Sequence, residues 1–244
     1  MPKSTADEQR IDNKSYYDRF ADNYEARRHG GYHLMLDDLQ SELVLPAAQG
    51  REALEVGCGT GLILRRVNEV ARRAVGIDLS PGMLAKARER GLEVQEASAT
   101  KLPFDDASFD VTYSFKVLSH VPELDVALAE MARVTRPGGT VFAELYNKHS
   151  LRYLARLARG GHEIAKGIDD NQVFFRFYRP DEVVANLPAN LEVVGLHGVR
   201  VFTALPGMVA WPLIGGAIRR GERALRSSPL ARFGGFLVFE CRRR

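Results

Sequence analysis

The sequence predicts an open α/β fold in which a mostly parallel, doubly wound sheet carries helices on both faces. Short apolar segments alternate with helical ones over residues 51–146, and a glycine-rich turn joins the first strand to the helix that follows it. Near-continuous apolar strands are typical of sheets covered on both sides. The repeated strand–helix–strand order is that of βαβ units, which build parallel sheets.

Length and charge limit the classes of function that the chain can have. Its 244 residues are enough for one α/β domain with an insertion. The 34 basic and 31 acidic residues leave a formal charge of +3, which does not predict a nucleic-acid-binding surface. Cys58 and Cys241 are too few for a disulfide framework or a zinc site. The polar N-terminus shows no signal peptide, so we expect a cytoplasmic protein.

One apolar run, Val201 to Ile218, has no charged residue. Its length reaches the lower limit for a membrane-spanning helix, about 17 residues. Prolines and glycines interrupt the run, however, and Thr203 makes it less apolar. We therefore expect no integral membrane span.

The first strand, Glu52–Val56, enters the glycine turn, and a helix is predicted to begin near Thr60. Glycines let the backbone come close to a ligand, and the positive end of the helix favours an anionic group. The dinucleotide fingerprint would require a glycine at the position of Leu62. The spacing therefore argues against an NAD site.

A second landmark is Asp78, which ends the next predicted strand, Ala74–Asp78. A carboxylate in this position can accept hydrogen bonds from both hydroxyls of a ribose. Ser80 and Pro81 then follow as the N-cap and first position of a helix. The chain thus carries a ligand cradle after its first strand and a ribose acceptor after its second.

Together, LEVGCGTG (residues 54–61) and Asp78 resemble the cofactor site of class I S-adenosylmethionine-dependent methyltransferases. The segment 98–104 resembles the family's Asp-Ala-x-x-Leu-Pro-Phe segment at the adenine end, with Ser98 where aspartate is common. Residues 130–139 match the family's pattern before the fifth strand. The resemblance is close over residues 17–145 and holds only in outline beyond them.

This resemblance implies S-adenosylmethionine as the methyl donor and S-adenosylhomocysteine as the product. We expect no metal ion, because the predicted fifth strand ends Glu-Leu-Tyr-Asn, without the aspartate pair of the magnesium-dependent catechol type. A leading helix over residues 15–28 would cover the cofactor, although its aromatic side chains would serve equally well packed against the sheet. The residues expected to contact the cofactor are Tyr17, Tyr24, Arg28, Glu55, Gly57, Cys58, Gly59, Gly61, Asp78, Leu79, Met83, Ser98, Ala99, Thr100 and Phe115.

The resemblance also implies the layout of the whole chain. Seven strands are expected, with a C-terminal antiparallel hairpin and an inserted substrate lid. One methyltransferase domain, residues 1–244, would contain cap helices at 15–48, a cofactor-binding core at 51–146, a lid at 147–179 and the rest of the sheet at 180–244.

His120 and Glu144 are the candidate catalytic residues. They follow the predicted fourth strand and end the fifth, which should be neighbours, so the two side chains are expected to converge. Related natural-product O-methyltransferases have a histidine and an acid in this region. His120 would act as a general base with a pKa near neutrality, oriented by Glu144. The alternative is that His120 only caps a helix or binds a loop carbonyl, with Tyr146 and His149 as further candidates.

The expected function is methyl transfer to a small, hydrophobic or aromatic acceptor, with O-methylation favoured and C- or N-methylation open. The aromatic residues of the segment 173–178 would contribute an apolar surface near the methyl donor, and Arg176 or Arg179 could bind an acidic group on the acceptor. The alternatives are a nucleic-acid or protein methyltransferase and a non-catalytic cofactor-binding protein. The sequence leaves the oligomeric state open.

Overall fold

The computed structural model describes residues 18, 31–159, 163–165, 168–169, 174–203, 206–211 and 214–244. Its helices are α1 (Gly31–Ala48), α2 (Leu62–Asn68), α3 (Pro81–Glu89), α4 (Leu124–Val134), α5 (Leu151–Arg159), α6 (Pro180–Ala185) and α7 (Gly215–Leu225). Its strands are β1 (Glu52–Val56), β2 (Arg73–Asp78), β3 (Glu93–Glu96), β4 (Phe109–Ser114), β5 (Thr135–Asn147), β6 (Glu163–Ala165), β7 (Ile168–Asp169), β8 (Phe177–Tyr178), β9 (Leu191–Val199) and β10 (Phe236–Arg243). Short 3₁₀ turns cover Leu118–His120, Pro206–Ala210 and Pro229–Phe233.

The main sheet has the strand order β3-β2-β1-β4-β5-β10-β9, and β8 pairs with the end of β5. Strands β1 to β5 are parallel, whereas β10 is antiparallel to both of its neighbours. This confirms the expected doubly wound sheet. The expected C-terminal antiparallel pair is confirmed as well: β9 and β10 pair, and residues 200–235 between them include α7.

Helices α1 and α2 pack on one face of the sheet, and α4 packs on the other. Helix α1 continues through Pro46 to Ala48. Val44 and Ala48 are fully buried, so packing of the last turn offsets the missing amide hydrogen of the proline. No helix among the described ranges is long and apolar enough to cross a membrane.

A buried polar network ties α1 to the ends of β4 and β5. Lys116, which has a left-handed φ of 64°, follows β4 and donates its main-chain N–H to Glu144 Oε1 at 2.9 Å. Its Nζ donates to Asp37 Oδ1 at 2.7 Å. Gln40 Nε2 completes the network by donating to Glu144 Oε2 at 2.5 Å. Contacts to both oxygens of Glu144 thus hold the turn after β4 in place.

Burial raises the pKa of Glu144 to about 7, against the opposing effects of the Lys116 charge and the hydrogen bond from Gln40. The carboxyl group is therefore partly protonated at neutral pH. A group whose pKa is raised on folding binds its proton more tightly in the native state, so ionisation destabilises the fold.

We expect this destabilisation to be visible as a pH dependence of the free energy of unfolding. The wild type should lose stability relative to Glu144→Gln as the pH rises from about 4.5, the ordinary value for glutamate, to about 7, and the difference should stay constant above that. Urea denaturation of both proteins between pH 4.5 and 8.5 measures this. A stability difference that does not change over the interval would contradict the prediction.

Candidate active site

The glycine turn between β1 and α2 has a backbone that glycine alone adopts readily. Gly57, Gly59 and Gly61 have φ values of 80°, 54° and 81°. The N–H groups of Gly57 and Cys58 both donate to the carbonyl of Ile77, at 2.8 and 2.9 Å, which fixes the turn to the end of β2. A Cβ at Gly57 would overlap the side chain of Val117, whereas a Cβ at Gly59 would meet no atom of the described residues within 4 Å. The turn is therefore packed on one side and open at Gly59.

Asp78 lies at the carboxyl end of β2, directly beside this open position. Its Oδ2 accepts the N–H of Gly59 at 2.8 Å, and its Oδ1 accepts the N–H of Ser80 at 2.9 Å. Burial raises the pKa of Asp78, while the hydrogen bonds from the main chain act in the opposite direction. Each carboxylate oxygen can accept more than one hydrogen bond, so both remain able to bind ligand hydroxyls.

The start of α3 joins the same edge through Asp18, a residue that sequence reasoning did not single out. Ser80 is the N-cap, and its Oγ accepts the N–H of Met83 at 3.1 Å. The Ser80 hydroxyl donates to Asp18 at 2.5 Å, and the N–H of Gly82 donates to the same carboxylate oxygen at 3.1 Å. Asp18 and Ser80 are 62 positions apart in the chain, so no local sequence pattern could indicate this contact.

The other residues expected at the cofactor fall into distinct environments. Glu55 is buried beneath the turn, where the Tyr113 hydroxyl donates to it at 3.3 Å and burial raises its pKa well above the usual value. Cys58 is also buried, and burial raises its thiol pKa. Met83 and Phe115 are buried, but Leu79 is 42% exposed next to Asp78. Tyr17, Tyr24 and Arg28 lie outside the described residues.

At the expected adenine end, the side chain of Ser98 is held within its own turn. Its Oγ lies 2.8 Å from the hydroxyl of Thr100 and accepts the Thr100 N–H at 3.2 Å. Ala99 between them is buried. These contacts fix the main chain of the turn, and the Ser98 hydroxyl already takes part in the hydrogen bonds that close the turn.

His120 follows β4 and lies between the lid segment and the end of β5. Its Nδ1 is 3.0 Å from the carbonyl oxygen of Phe174, and its Nε2 is 2.9 Å from the hydroxyl of Tyr146. A carbonyl can only accept, so Nδ1 carries the hydrogen. In the neutral ring, Nε2 then accepts the hydrogen bond that the Tyr146 hydroxyl donates. The hydrogen-bond partners of the His120 ring therefore determine its tautomer.

Two expectations about His120 were wrong. Glu144 does not orient it, because both oxygens of Glu144 are bound by Gln40 and Lys116. Tyr146, two residues further along the same face of β5, takes that place. The pKa is not near neutrality either: burial lowers it to about 4, and the charge of Arg152 lowers it in the same direction. His120 is therefore neutral at physiological pH.

Tyr146 is the centre of an aromatic cluster at this edge of the sheet. Ring centroids of the cluster members lie between 5.4 and 6.4 Å from that of Tyr146, and the members are His120, Phe175, Phe177 and Phe236. The guanidinium carbon of Arg152 lies 4.3 Å from the same ring centroid. Burial raises the pKa of the Tyr146 phenol, against the effect of Arg152. The site therefore combines an apolar wall with a neutral base and a cation.

His149, the remaining candidate, is exposed and belongs to the turn before α5. The described part of the chain holds no cluster of three or more His, Cys, Asp or Glu side chains that could bind a metal ion.

Comparison with known proteins identifies the family of the chain. A family described as "Methyltransferase domain" matches residues 54–143, from β1 into β5. The chain is 35% identical over 166 residues to a ubiquinone biosynthesis O-methyltransferase of Methylococcus capsulatus, covering 62% of this chain and 67% of that protein. It is 34% identical over 179 residues to a demethylmenaquinone methyltransferase of Mycobacterium sp. (strain JLS), covering 66% and 74%.

The fold is also that of a solved Thermotoga maritima protein described as a SAM-dependent methyltransferase and possible histamine N-methyltransferase. The TM-score is 0.68 at 20% identity, and the match covers 95% of this chain and 99% of that one. At this identity the likeness concerns the fold alone. The matched domain and the two relatives show the family: the chain belongs to the class I S-adenosylmethionine-dependent methyltransferases.

Proposed function

We propose that this enzyme transfers the methyl group of S-adenosylmethionine to a small acceptor with a hydrophobic or aromatic body, most readily to an oxygen. One observation carries the proposal. The open glycine turn with Asp78 and the aromatic cluster with His120 and Tyr146 lie at the carboxyl edge of one sheet. In open α/β sheets, this edge is where ligands bind.

The residues at the turn fit an adenosyl cofactor. Among the described residues none fills the space at Gly59, and Asp78 keeps lone pairs for two ribose hydroxyls. Exposed Leu79 could cover one face of the adenine ring. The proposed cofactor contacts remain those named from the sequence, with Glu55 and Cys58 acting from beneath the turn and not on its surface.

The proposed acceptor follows from the cluster around Tyr146 and from the relatives, whose names concern ubiquinone biosynthesis and demethylmenaquinone. The cofactor supplies an activated methyl group, to which the acceptor oxygen forms its new bond as the carbon–sulfur bond breaks. The Tyr146 hydroxyl donates to His120, so its oxygen can accept the proton of an acceptor hydroxyl while its own proton moves to Nε2. His120 and Tyr146 thus form a proposed proton relay.

The wider setting is also a proposal. Residues 147–179 form the substrate lid of a single domain, and the last part of that segment contacts His120 through the carbonyl of Phe174. The near-balanced charge of +3 supports a role without a nucleic-acid partner. A cytoplasmic location is part of the same proposal.

Asp78→Ala tests the cofactor site. Loss of the charge-assisted hydrogen bonds to ribose should weaken binding of S-adenosylhomocysteine by roughly tens- to several-hundred-fold. Titration calorimetry gives the affinity, and thermal melting verifies that the variant is folded. Asp110→Ala removes the same charge at the opposite end of the sheet and should bind like the wild type. Equal affinity of both variants for S-adenosylhomocysteine would show that Asp78 does not belong to the cofactor site.

Gly59→Ala and Gly57→Ala separate cofactor binding from folding. Both substitutions put alanine at a left-handed φ, which costs roughly 1–2 kcal/mol. Gly57→Ala adds overlap with Val117, worth about 1–3 kcal/mol of stability or more. Gly59→Ala should therefore fold better but bind S-adenosylhomocysteine at least about tenfold more weakly, because its methyl group enters the open space. Unchanged binding by Gly59→Ala would contradict the proposed cradle.

The relay is tested with His120→Ala, Tyr146→Phe and the double variant. Release of S-adenosylhomocysteine is followed over a panel of quinols, phenols, amines and acids. Each single variant should lower turnover by about 10²- to 10⁴-fold, and the double variant should be little worse, because both act on one proton. Wild-type turnover should fall as the pH drops through about 4, where His120 becomes protonated. Acid–base catalysis should contribute about 10²- to 10⁴-fold to turnover. A loss of turnover below about fivefold in these variants would therefore show that both residues have only a structural role.

A further inference from the structure

Arg152 is a feature of this site that methyl transfer alone does not explain. Its guanidinium carbon lies 4.3 Å from the ring centroid of Tyr146, 4.7 Å from that of Phe236 and 5.6 Å from that of Phe177. Its Nη1 atom is buried and has no hydrogen-bond partner among the residues that the structure describes. A buried donor without an acceptor costs free energy, so the site is incomplete as it stands.

A second cation lies close to Arg152. Arg200 has a left-handed φ of 62°, and its guanidinium carbon is 5.4 Å from the ring centroid of Tyr32. Burial lowers the pKa of Arg200, and the charge of Arg152 lowers it in the same direction. Like charges held together in a partly buried region favour a site that receives an anion.

The nearby carboxylates are bound to other donors. Glu144 accepts from Gln40 and Lys116, as described above. Glu222 accepts the N–H groups of Val201 and Thr203, at 2.7 and 2.9 Å, and the Thr203 hydroxyl at 2.5 Å. Within the described ranges, no carboxylate forms an ion pair with Arg152.

We propose that Arg152 binds an anionic group, a carboxylate or a phosphate, carried by the methyl acceptor, while the acceptor's apolar body packs against the cluster around Tyr146. The inference rests on the proposed function and names the substrate class for the same site. An arginine suits this role because its planar fork binds both oxygens of a carboxylate and also stacks on aromatic rings.

The geometry favours Arg152 over the two arginines that the sequence suggested. Arg179 is 53% exposed and pairs with Asp181 and Glu182, at 3.2 and 3.6 Å. Arg176 is exposed and stacks on Tyr178, with its guanidinium carbon 4.9 Å from the ring centroid. Neither has a buried donor that lacks an acceptor.

Calorimetry on the full chain saturated with S-adenosylhomocysteine tests the proposal. The probes are 4-hydroxycinnamate, phenyl phosphate and the neutral methyl ester of 4-hydroxycinnamate, so that carboxylate, phosphate and uncharged ligands are compared. The wild type should bind at least one anion about tenfold or more tightly than the ester. Arg152→Gln should reduce this preference to less than about threefold.

Arg176→Gln is the matched control, because it removes an arginine that also stacks on an aromatic ring of the same segment. It should keep the preference for the anion. If Arg152→Gln does not fold, Arg152→Lys replaces it, and it should weaken the preference because the ammonium group binds as a point charge.

Three results would overturn the proposal: equal binding of anions and ester by the wild type, a preference lost in Arg176→Gln and not in the Arg152 variants, or a large loss of S-adenosylhomocysteine affinity in the Arg152 variants. The last result would assign Arg152 to the carboxylate of the cofactor. A chain that does not bind S-adenosylhomocysteine would contradict the proposed function separately, since the anion preference is measured without methyl transfer.

Discussion

The attachment of the glycine turn to the end of β2 is the constraint on which the cofactor edge depends. Gly57 and Cys58 donate to the carbonyl of Ile77, and Gly59 donates to the side chain of Asp78. These hydrogen bonds join two neighbouring parallel strands just where each one ends. They also direct the open side of the turn and the free lone pairs of Asp78 towards the same space. Without the left-handed glycines, the chain could not make this turn so close to β2.

A second set of contacts fixes the acceptor side of the same edge. The network of Lys116, Asp37, Gln40 and Glu144 ties the turn after β4 to α1 and β5. His120 follows this turn, and Tyr146 follows Glu144 on the same face of β5. The buried network therefore sets the positions of both members of the proposed relay, although none of its residues belongs to that relay. Glu144 has this positioning role in place of the catalytic one expected from the sequence.

Patterns local in the chain could be predicted from the sequence. The alternation of apolar segments and the glycine spacing predicted the parallel sheet, and Ser80 with Pro81 predicted the start of α3. Contacts between distant segments could not be predicted in this way. No periodic sequence pattern links the residues of such contacts. Examples are the contacts of Asp18 with Ser80, of Gln40 with Glu144 and of Phe174 with His120. The pKa of His120 was mistaken for the same reason, since its depression depends on burial by residues far away in the chain.

The sequence by itself determined the fold class, the glycine turn and the place of Asp78 at the end of β2, because each of these depends on residue types at short, fixed spacings. The tertiary structure decided which acceptor-side groups meet. It placed Tyr146 beside His120, left Glu144 bound to α1, and put Arg152 among the aromatic rings with a buried donor that finds no acceptor in the described part of the chain. These outcomes depend on how helices and strands pack, since a side chain's charge and hydrogen bonds are set by the neighbours that packing supplies.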